Sequence, residues 1–308
     1  MSTPVYDNTH LHFQLPAAGT GAELRLARAP AFATCSGEPD EQGRLTAIYR
    51  GLRLEYVPAT GWGRVRGSLH TFAHGHNTGP FGWMEAALAC DELAVALAMP
   101  PDWLTVRRLE VGLNIPVPTP PREFLQSLVS HKKSLFTALK PPAGAARPLE
   151  YSAFHEAYRL KFYDKGTYAR LQGQPHPPGH LLRFEVVYSR ARPLQQLTGY
   201  APLTLADLPR PLVLAAFQEQ LRLQWYRTQR LTPMDYTGLS LADSALIHAA
   251  NDPAFWEAMR KSQPRATYTR NHARARRLLE QLRQRAEAHP FDVAFERGLE
   301  GLDVFKYD

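Results

Sequence analysis

Hydrophobic and polar residues alternate through most of the first two-thirds of the chain, a pattern that predicts β-strands. The alternating stretches are residues 10–15, 46–58, 63–72, 107–115, 159–166 and 181–189, with a further one at the opening. Apolar residues at helical spacing predict helices over residues 83–98 and 121–132, the second beginning after consecutive prolines. Loops rich in proline and glycine follow at residues 140–148 and 172–180. This region is therefore expected to be strand-rich with a few helices.

After about residue 195 the period changes from that of strands to that of helices. The predicted helices cover residues 211–228, 241–250, 253–261 and 269–288, and Asn251, Asp252 and Pro253 supply a cap and a first-turn proline. We predict an α+β fold with a central antiparallel sheet, flanking helices and a helical C-terminal region. The boundary is placed near residues 196–210, so that residues 1–200 form the main domain and residues 201–308 the helical region.

The polar residues of several predicted strands fall on one face. They are Arg108, Glu110 and Asn114 in one strand, Arg183 and Glu185 in another, Arg159, Lys161, Tyr163 and Lys165 in a third, and His10 and His12 in a fourth. One such face is ordinary for an antiparallel sheet with one side in water. Together, the four faces hold carboxylates, a tyrosine, histidines and an asparagine, with few of the Thr, Ser and Gln residues that fill plain surfaces. That combination predicts a metal-assisted site that acts on a phosphate.

The chemistry of a phosphodiester explains why these residue types belong together. Its negative charge repels a nucleophile until a divalent cation such as Mg²⁺ or Mn²⁺ neutralises it, and Glu110, Asn114 and Glu185 offer the oxygen ligands that hard cations take. Tyrosine can attack phosphorus and form a covalent intermediate, but a free phenol has a pKa of about 10 and is a poor nucleophile at neutral pH. On the predicted strand, Lys165 lies two residues from Tyr163 on the same face, where its charge favours the phenolate.

The charge balance narrows the class of partner. The 308-residue chain carries a net charge of +7 and has a pI of about 9.5, which suits nucleic acid first and an anionic membrane surface second. Residues 83–100 are apolar but include three acids, so they predict an amphipathic helix and no membrane span. The opening residues lack the order of a signal peptide, and Cys35 and Cys90 lie far apart, so we expect a protein of the reducing cytoplasm.

Three strands resemble a known family. "RRLEVGLNI", "YRLKFYDKG" and "LLRFEVVYSR" come in the order and spacing of the rolling-circle replication initiators of the filamentous-phage gene II protein and plasmid Rep type. The family pattern is an Arg-Leu-acid strand, a Tyr-x-Lys strand and an Arg-aromatic-Glu strand. Gly75, His76 and Asn77, just before a predicted helix, are similar to its Gly-His-Asn element. The resemblance covers roughly residues 5–210 and does not extend to the helical tail.

The resemblance implies a function and a set of roles. Such proteins nick one strand of an origin with the help of a divalent metal, stay joined to the 5′ phosphate through tyrosine, and later reseal the strand. By resemblance, residues 1–200 are the initiator endonuclease domain, Tyr163 is the nucleophile and Lys165 its neighbouring cation. Glu110 and Glu185 would hold Mg²⁺ or Mn²⁺. The implied partners are origin DNA, single-stranded or extruded, and the host helicase and replication proteins.

Histidines are candidates for further metal ligands or for DNA contacts. His10-Leu11-His12 has the His-hydrophobic-His form that relaxases and Rep proteins use for metal, although there it lies on an internal strand and here near the start of the chain. His12, His76 and Asn114 are therefore candidates for metal ligands, for groups that hold the ligands in place, or for DNA contacts. His70, His74 and His76 form another cluster, but the lack of a cysteine partner argues against zinc there.

Basic residues are predicted to contact DNA. They are Lys161, Arg183, Arg108, Arg274 and Arg277, the last two in the basic helix over residues 269–288. Lys and Arg on phosphates release counterions and make binding salt-dependent. Lys161 could instead activate Tyr163, and the helix could be a solvated face beside a core stripe of Leu278, Leu279 and Leu282.

Competing tyrosines and two rival functions stay open from the sequence. Tyr168 could be a second nucleophile for strand exchange, whereas Tyr158 falls on an apolar face and Tyr151 in a loop. One rival is a hydrolytic metal nuclease, in which water attacks the phosphate and no denaturant-resistant protein–DNA adduct forms. Only the tyrosine route gives an adduct that Tyr163→Phe abolishes. The other is a non-catalytic origin-binding protein, whose activity would survive Glu110→Ala plus Glu185→Ala.

Overall fold

A nine-stranded antiparallel sheet dominates the computed structural model, which describes residues 4–15, 29–32, 39–79, 81–175, 178–231, 237–250, 252–285 and 289–300. The strands are β1 (Pro4–Gln14), β2 (Leu45–Tyr49), β3 (Leu52–Val57), β4 (Trp62–Ser68), β5 (Thr105–Val117), β6 (Leu128–His131), β7 (Ser134–Leu135), β8 (Thr137–Ala138), β9 (Glu150–Phe154), β10 (Arg159–Asp164), β11 (His180–Tyr188) and β12 (Thr228–Arg230). The main sheet has the order β2-β3-β4-β1-β5-β11-β10-β9-β8, and β12, β6 and β7 form a small second sheet. Strands β1, β5, β11 and β10 therefore lie side by side at its centre.

Helices flank the sheet and follow it in the chain. They are α1 (Leu69–His74), α2 (Trp83–Leu97), α3 (Arg122–Ser127), α4 (Lys165–Leu171), α5 (Ala191–Thr198), α6 (Pro211–Tyr226), α7 (Leu241–Ala250), α8 (Pro253–Ser262), α9 (Arg265–Arg285) and α10 (Pro290–Glu300). None of the helices described here has the length and apolar character that a bilayer crossing requires. Cys90 is buried, and Cys35 lies outside the described residues.

The apolar side chains of the central strands form the core on one face of the sheet. The fully buried members include Leu109, Leu113, Leu160, Phe162 and Phe184. Helix α6 covers them: the Trp225 ring lies 5.6 Å from the rings of Phe162 and Phe184 and stacks on Phe295 at 4.2 Å. Burying one such side chain contributes roughly 1.5–3 kcal/mol. Because this face is filled, the polar side chains of the same strands lie on the other face.

The described part of the chain divides into two compact units. One comprises Met1–Gln229 with Ala294–Asp308, and the other is Arg230–Val293. The predicted boundary near residue 200 does not coincide with this division. The physical reason is α6, whose buried residues Phe217, Leu221 and Trp225 belong to the sheet's core although they follow the predicted boundary.

The α+β prediction, with a central antiparallel sheet and C-terminal helices, is confirmed. The differences concern where elements end and several short elements that were not predicted, among them α1, α4, α5 and β9. The strand predicted to reach residue 72 stops at Ser68, whose side chain accepts a hydrogen bond from the Thr71 backbone N–H at 3.1 Å and starts α1. The helix predicted to reach residue 132 ends at Ser127, and β6 follows it. Asp252 caps α8 as predicted, whereas Asn251 and residues 286–288 lie outside the described residues.

Candidate active site

A β-bulge in β1 brings an unpredicted carboxylate to the polar face. The pairing of β1 with β5 shifts between Tyr6 and Thr9, because β1 contains one extra residue there. As a result, Asp7 lies on the same side of the sheet as Glu110. Alternation counted back from Leu11 would place Asp7 among the apolar residues. The sequence prediction missed Asp7 for this reason.

Three carboxylates converge where β1, β5 and β11 meet. One oxygen each of Asp7, Glu110 and Glu185 lies within 4.8 Å of the other two. The three residues are 8%, 4% and 0% exposed, respectively. Gly112 pairs with Glu185, and a Cβ at Gly112 would lie 2.6 Å from Glu185 Cγ. The glycine in "EVGLN" is therefore required by the close approach of Glu185.

Arg183 links the carboxylates from inside the cluster. Its side chain is fully buried, with Nη2 2.8 Å from Asp7 Oδ2 and Nε 2.5 Å from Glu185 Oε1. Nη1 donates to the Asn77 carbonyl at 3.0 Å and to Asn114 Oδ1 at 3.3 Å. A guanidinium without water needs this many partners to offset its desolvation. Arg183 thus fixes the relative positions of three strands and the loop that carries Asn77.

Lys161 bridges the two glutamates. Its Nζ lies 3.3 Å from Glu110 Oε2 and 2.6 Å from Glu185 Oε2. Burial raises the pKa of Glu110, and the charge of Glu185 raises it further. Burial acts on Glu185 in the same sense, but Lys161 and Arg183 hold the pKa of Glu185 well below its usual range. Glu185 is therefore firmly ionised, whereas the ionised form of Glu110 is disfavoured, as expected when carboxylates share a site.

The Tyr163 hydroxyl is buried against this cluster. The residue is 7% exposed, and its Oη donates to Glu185 Oε1 at 3.0 Å. Burial raises the pKa of Tyr163 well above 10; Arg183 opposes the shift and Glu185 adds to it. In this conformation Tyr163 is a protonated donor that orients Glu185. Its role as the nucleophile stays a prediction, and its burial counts against it.

Lys165 faces the cluster from a helix and not from the predicted strand. Strand β10 ends at Asp164, because the Asp164 side chain accepts from the Thr167 backbone N–H at 2.9 Å and caps α4. Lys165 is 4% exposed, and its ammonium donates to Asn77 Oδ1 at 2.5 Å rather than to Tyr163. Burial and the charge of Arg183 lower the pKa of Lys165 to about 8. The contact through which Lys165 was predicted to activate Tyr163 is therefore not present in this conformation.

Two asparagines hold the loop above the carboxylates. Asn77 Nδ2 lies 3.2 and 3.3 Å from the two carboxylate oxygens of Asp7. Asn114 Nδ2 donates to the carbonyls of Asn77 and Gly79 at 3.4 and 3.3 Å, and its Oδ1 accepts from Arg183. Asn114, predicted as a metal ligand, thus has a positioning role. Asn77 reaches the site itself, and the Gly-His-Asn element was the signal that pointed to it.

The predicted histidine ligands lie apart from the carboxylates. His12 is five residues from Asp7, about 16 Å along an extended strand, and its ring meets Trp62 edge-on at 5.4 Å. It lines a separate cavity of about 370 Å³ with Phe13, Gln14, Trp62, Trp103, Thr105 and Arg107. His76 groups instead with His70 and His74. The structure therefore does not bring His12 or His76 to the carboxylate cluster.

The residues predicted to contact DNA separate into internal and external ones. Arg183 is fully buried and the Lys161 side chain is 13% exposed. Both are paired with carboxylates inside the protein, so in this conformation they do not face solvent where DNA would bind. Arg108 is partly exposed and pairs with Glu110. On α9, Arg277 is exposed, and Arg274 is exposed but pairs with Asp243 at 2.8 Å. DNA contact by these last three residues stays a prediction.

The donor set fits a hard divalent cation. Among the described residues, Asp7, Glu110 and Glu185 are the only group of three or more acidic, histidine or cysteine side chains with ligand atoms this close. Carboxylate oxygens are the ligands that Mg²⁺ and Mn²⁺ prefer. The Lys161 ammonium lies between two of these oxygens, so Lys161 and a metal ion would compete for them.

Comparison with known proteins adds a similar structure. No protein-family model and no curated protein matches the chain. Among solved structures, it is similar to a rolling circle replication initiator protein from Geobacillus stearothermophilus. The match has 13% identity and a TM-score of 0.42, and it covers 78% of this chain and 89% of that one. At this level of similarity, function has to be argued from the side chains themselves.

Proposed function

We propose that the chain is a divalent-metal-dependent enzyme that nicks origin DNA and initiates rolling-circle replication. The observation that carries the proposal is the buried convergence of Asp7, Glu110 and Glu185. Carboxylates this close repel one another, so they persist in a fold only with cations among them. Bound by these oxygens, Mg²⁺ or Mn²⁺ would supply the charge neutralisation that a phosphodiester needs before attack. The motif resemblance supports origin DNA as the substrate.

The remaining residues of the cluster keep the carboxylates in place. Arg183 holds Asp7 and Glu185 in fixed orientation, and Tyr163 donates to Glu185 from the other side. Asn77 holds Asp7 through its amide. These contacts preorganise the three oxygens on rigid strands, which is what a metal site requires of its surroundings.

The nucleophile we propose is Tyr168. It lies three residues after Lys165, so the two side chains share one face of α4. Tyr168 is half-buried, and its ring meets that of Tyr163 edge-on at 5.9 Å. Attack by Tyr163 would first require its hydroxyl to be uncovered, whereas Tyr168 is already partly exposed. Lys165, with a pKa of about 8, is partly neutral near physiological pH and can accept the phenol proton.

The proposed step conserves atoms and charge. The phenol proton passes to Lys165 as the tyrosine Oη–P bond forms and the P–O3′ bond breaks. The 3′ oxygen leaves with the bonding electron pair and takes a proton from solvent. The 5′ phosphate remains on tyrosine, and the reverse reaction reseals a strand. Such an enzyme would act with the host helicase and replication proteins in the cytoplasm, with residues 1–200 as its nicking part.

The test is a covalent-adduct gel. The protein is incubated with Mn²⁺ and short single-stranded oligonucleotides of random sequence that carry a fluorophore at the 3′ end, then denatured. Wild-type protein should retain the fluorophore, because the 5′ phosphate of the labelled fragment is bonded to tyrosine. Tyr168→Phe should abolish the adduct, whereas Tyr163→Phe should weaken it and leave it detectable.

Other outcomes of the gel have definite meanings. Loss of the adduct in Tyr163→Phe alone would overturn the assignment of Tyr168 and restore the sequence prediction. Free labelled fragments without any adduct would support hydrolysis by water. Binding without cleavage, unchanged by Glu110→Ala plus Glu185→Ala, would show a non-catalytic DNA-binding protein.

A further inference from the structure

Three histidines come together on α1 and the loop that follows it, a feature that the proposed nicking reaction does not use. His70 and His74 are four residues apart on α1 and therefore share one face of the helix. Gly75 ends the helix with φ of 78°, a left-handed conformation that glycine adopts without strain. The chain thereby turns back and places His76 next to the other two. Ring centroids are 5.3 Å apart for His70–His74 and 6.3 Å for each pair with His76.

His70 is buried without a hydrogen-bond partner. The residue is 0% exposed, and within the described residues neither of its ring nitrogens is hydrogen-bonded. One face of the ring stacks on Phe81 at 4.7 Å. Buried polar atoms almost always have a partner, so leaving both ring nitrogens of His70 without one is unfavourable. Burial, followed by the charge of Arg183, lowers the pKa of His70 to about 3, so the ring is in the neutral form that binds metals.

The tautomer of His76 is set by Thr78. Thr78 is buried, and its hydroxyl donates to the Pro175 carbonyl at 2.5 Å. Because that hydrogen is used, the same oxygen accepts from His76 Nδ1 at 3.3 Å. The proton therefore lies on Nδ1, and Nε2 has a free lone pair. This arrangement of a hydrogen-bonded Nδ1 and an open Nε2 is typical of histidines that bind metals.

We propose that His70, His74 and His76 bind a borderline transition-metal ion, zinc in the first instance. Nitrogens bound to one tetrahedral Zn²⁺ lie about 3.3 Å apart. The nearest nitrogens of the three histidines are not all within 4.8 Å of one another, so binding would require the rings to turn toward a common centre. Glu85 offers a fourth position, with Oε1 3.2 Å from His74 Nε2. Three histidines and a carboxylate or water suit zinc without any cysteine. The lack of a cysteine, which argues against zinc at the level of the sequence, does not by itself exclude such a site.

The metal would hold the loop that organises the carboxylates. His76 is followed directly by Asn77, which bonds to Asp7, Lys165 and Arg183. Fixing His76 to α1 would fix the start of that loop. This role is structural, because the metal would take no direct part in the chemistry of nicking. It also differs in chemistry from the carboxylate site, because nitrogen ligands favour Zn²⁺ over Mg²⁺.

Cobalt titration tests the site without any assay of activity. Full-length protein is stripped with a chelator and titrated with Co²⁺, whose visible spectrum is intense in tetrahedral sites. We expect one tetrahedral Co²⁺ per chain, displaced by Zn²⁺. The double variant His74→Ala plus His76→Ala should lose this spectrum while keeping the far-ultraviolet circular dichroism of the wild type. His10→Ala plus His12→Ala is the matched control and should keep the spectrum.

Two further variants separate this site from the carboxylates and from a folding defect. Thr78→Val leaves the three ligands in place but frees the His76 tautomer, so it should lower Zn²⁺ affinity by roughly 10- to 100-fold. Asp7→Asn should leave the cobalt spectrum unchanged even if it abolishes nicking. A wild-type protein without a tetrahedral spectrum, or a spectrum that survives in the His74 and His76 variant, would overturn the proposal.

Discussion

At the scale of single residues, the candidate site depends on how three acids share the cations around them. Lys161 and Arg183 both contact Glu185, and they hold its pKa low although burial favours the neutral form. The cations near Glu110 offset its burial less completely, and the pKa of Glu110 is raised. A divalent cation would remove that cost. The internal lysine therefore occupies a position that a metal would take over.

Replacing Lys161 should strengthen metal binding. The ammonium bridges Glu110 and Glu185, so Lys161→Met frees both oxygens for a metal. We expect the affinity for Mn²⁺, measured by isothermal titration calorimetry, to rise by about tenfold or more, equivalent to about 1.4 kcal/mol. Lys261→Met, at an exposed ion pair with Glu257, is the control and should change nothing. Unchanged or weaker binding in Lys161→Met would show that lysine and metal do not share these oxygens.

Lys165 should make stability depend on pH in the alkaline range. Its pKa is lowered from 10.5 to about 8 by burial and Arg183. Between these values the unfolded chain binds a proton that the folded protein does not, so the free energy of unfolding rises with pH. The gain is at most about 3 kcal/mol. Urea unfolding at about pH 7.5 and about pH 9.5 should show it in the wild type and not in Lys165→Met; identical pH dependence in the two proteins would refute it.

At the scale of elements, the sequence predicts faces better than it predicts ends. Alternation correctly placed Glu110, Arg183 and Glu185 on one side of adjacent strands, because regular pairing preserves a period of two. It failed for Asp7, since a bulge breaks that period. The dipeptide Asp7-Asn8 was the available signal, because both residue types are depleted in strands and mark irregular pairing.

Local side-chain hydrogen bonds explain the other misplaced residues. Asp164 and Ser68 cap helices where the pattern of apolar residues permits a strand to continue. Lys165 reaches the site nonetheless, from the first turn of α4. Alternation could not predict how deeply a side chain is buried. It showed that Tyr163 faces the acids, but not that its hydroxyl lies 3.0 Å from a carboxylate oxygen of the fully buried Glu185. Burial depends on what covers a face, and that comes from distant parts of the chain.

Helix α9 should contribute salt-dependent affinity for DNA. Arg274 and Arg277 are exposed on it, and each phosphate neutralised adds about 0.7 to the slope of log affinity against log salt for single strands. Arg274→Gln plus Arg277→Gln should therefore reduce that slope by about 1.4, measured by fluorescence anisotropy. Arg44→Gln plus Arg50→Gln removes the same charge from residues outside α9 and should leave the slope unchanged. Equal slopes in all three proteins would exclude α9.

At the scale of the whole molecule, a positively charged chain contains a buried cluster of three acids. The net charge of +7 favours a polyanion, and the buried acids give that polyanion a place where a divalent cation can act on it. Aromatic packing of α6 on one face of the sheet leaves the other face for this chemistry. Binding and cleavage should therefore be separable, with salt acting on the first and loss of carboxylates on the second.

The most direct measurement is anomalous diffraction from a crystal soaked in Mn²⁺. We expect an anomalous peak for manganese within bonding distance of one oxygen each of Asp7, Glu110 and Glu185, with the Lys161 ammonium displaced from between the glutamates. Asp7→Asn crystals should lose the peak. A wild-type crystal with no manganese at this position, and with Lys161 still bridging Glu110 and Glu185, would contradict the central claim.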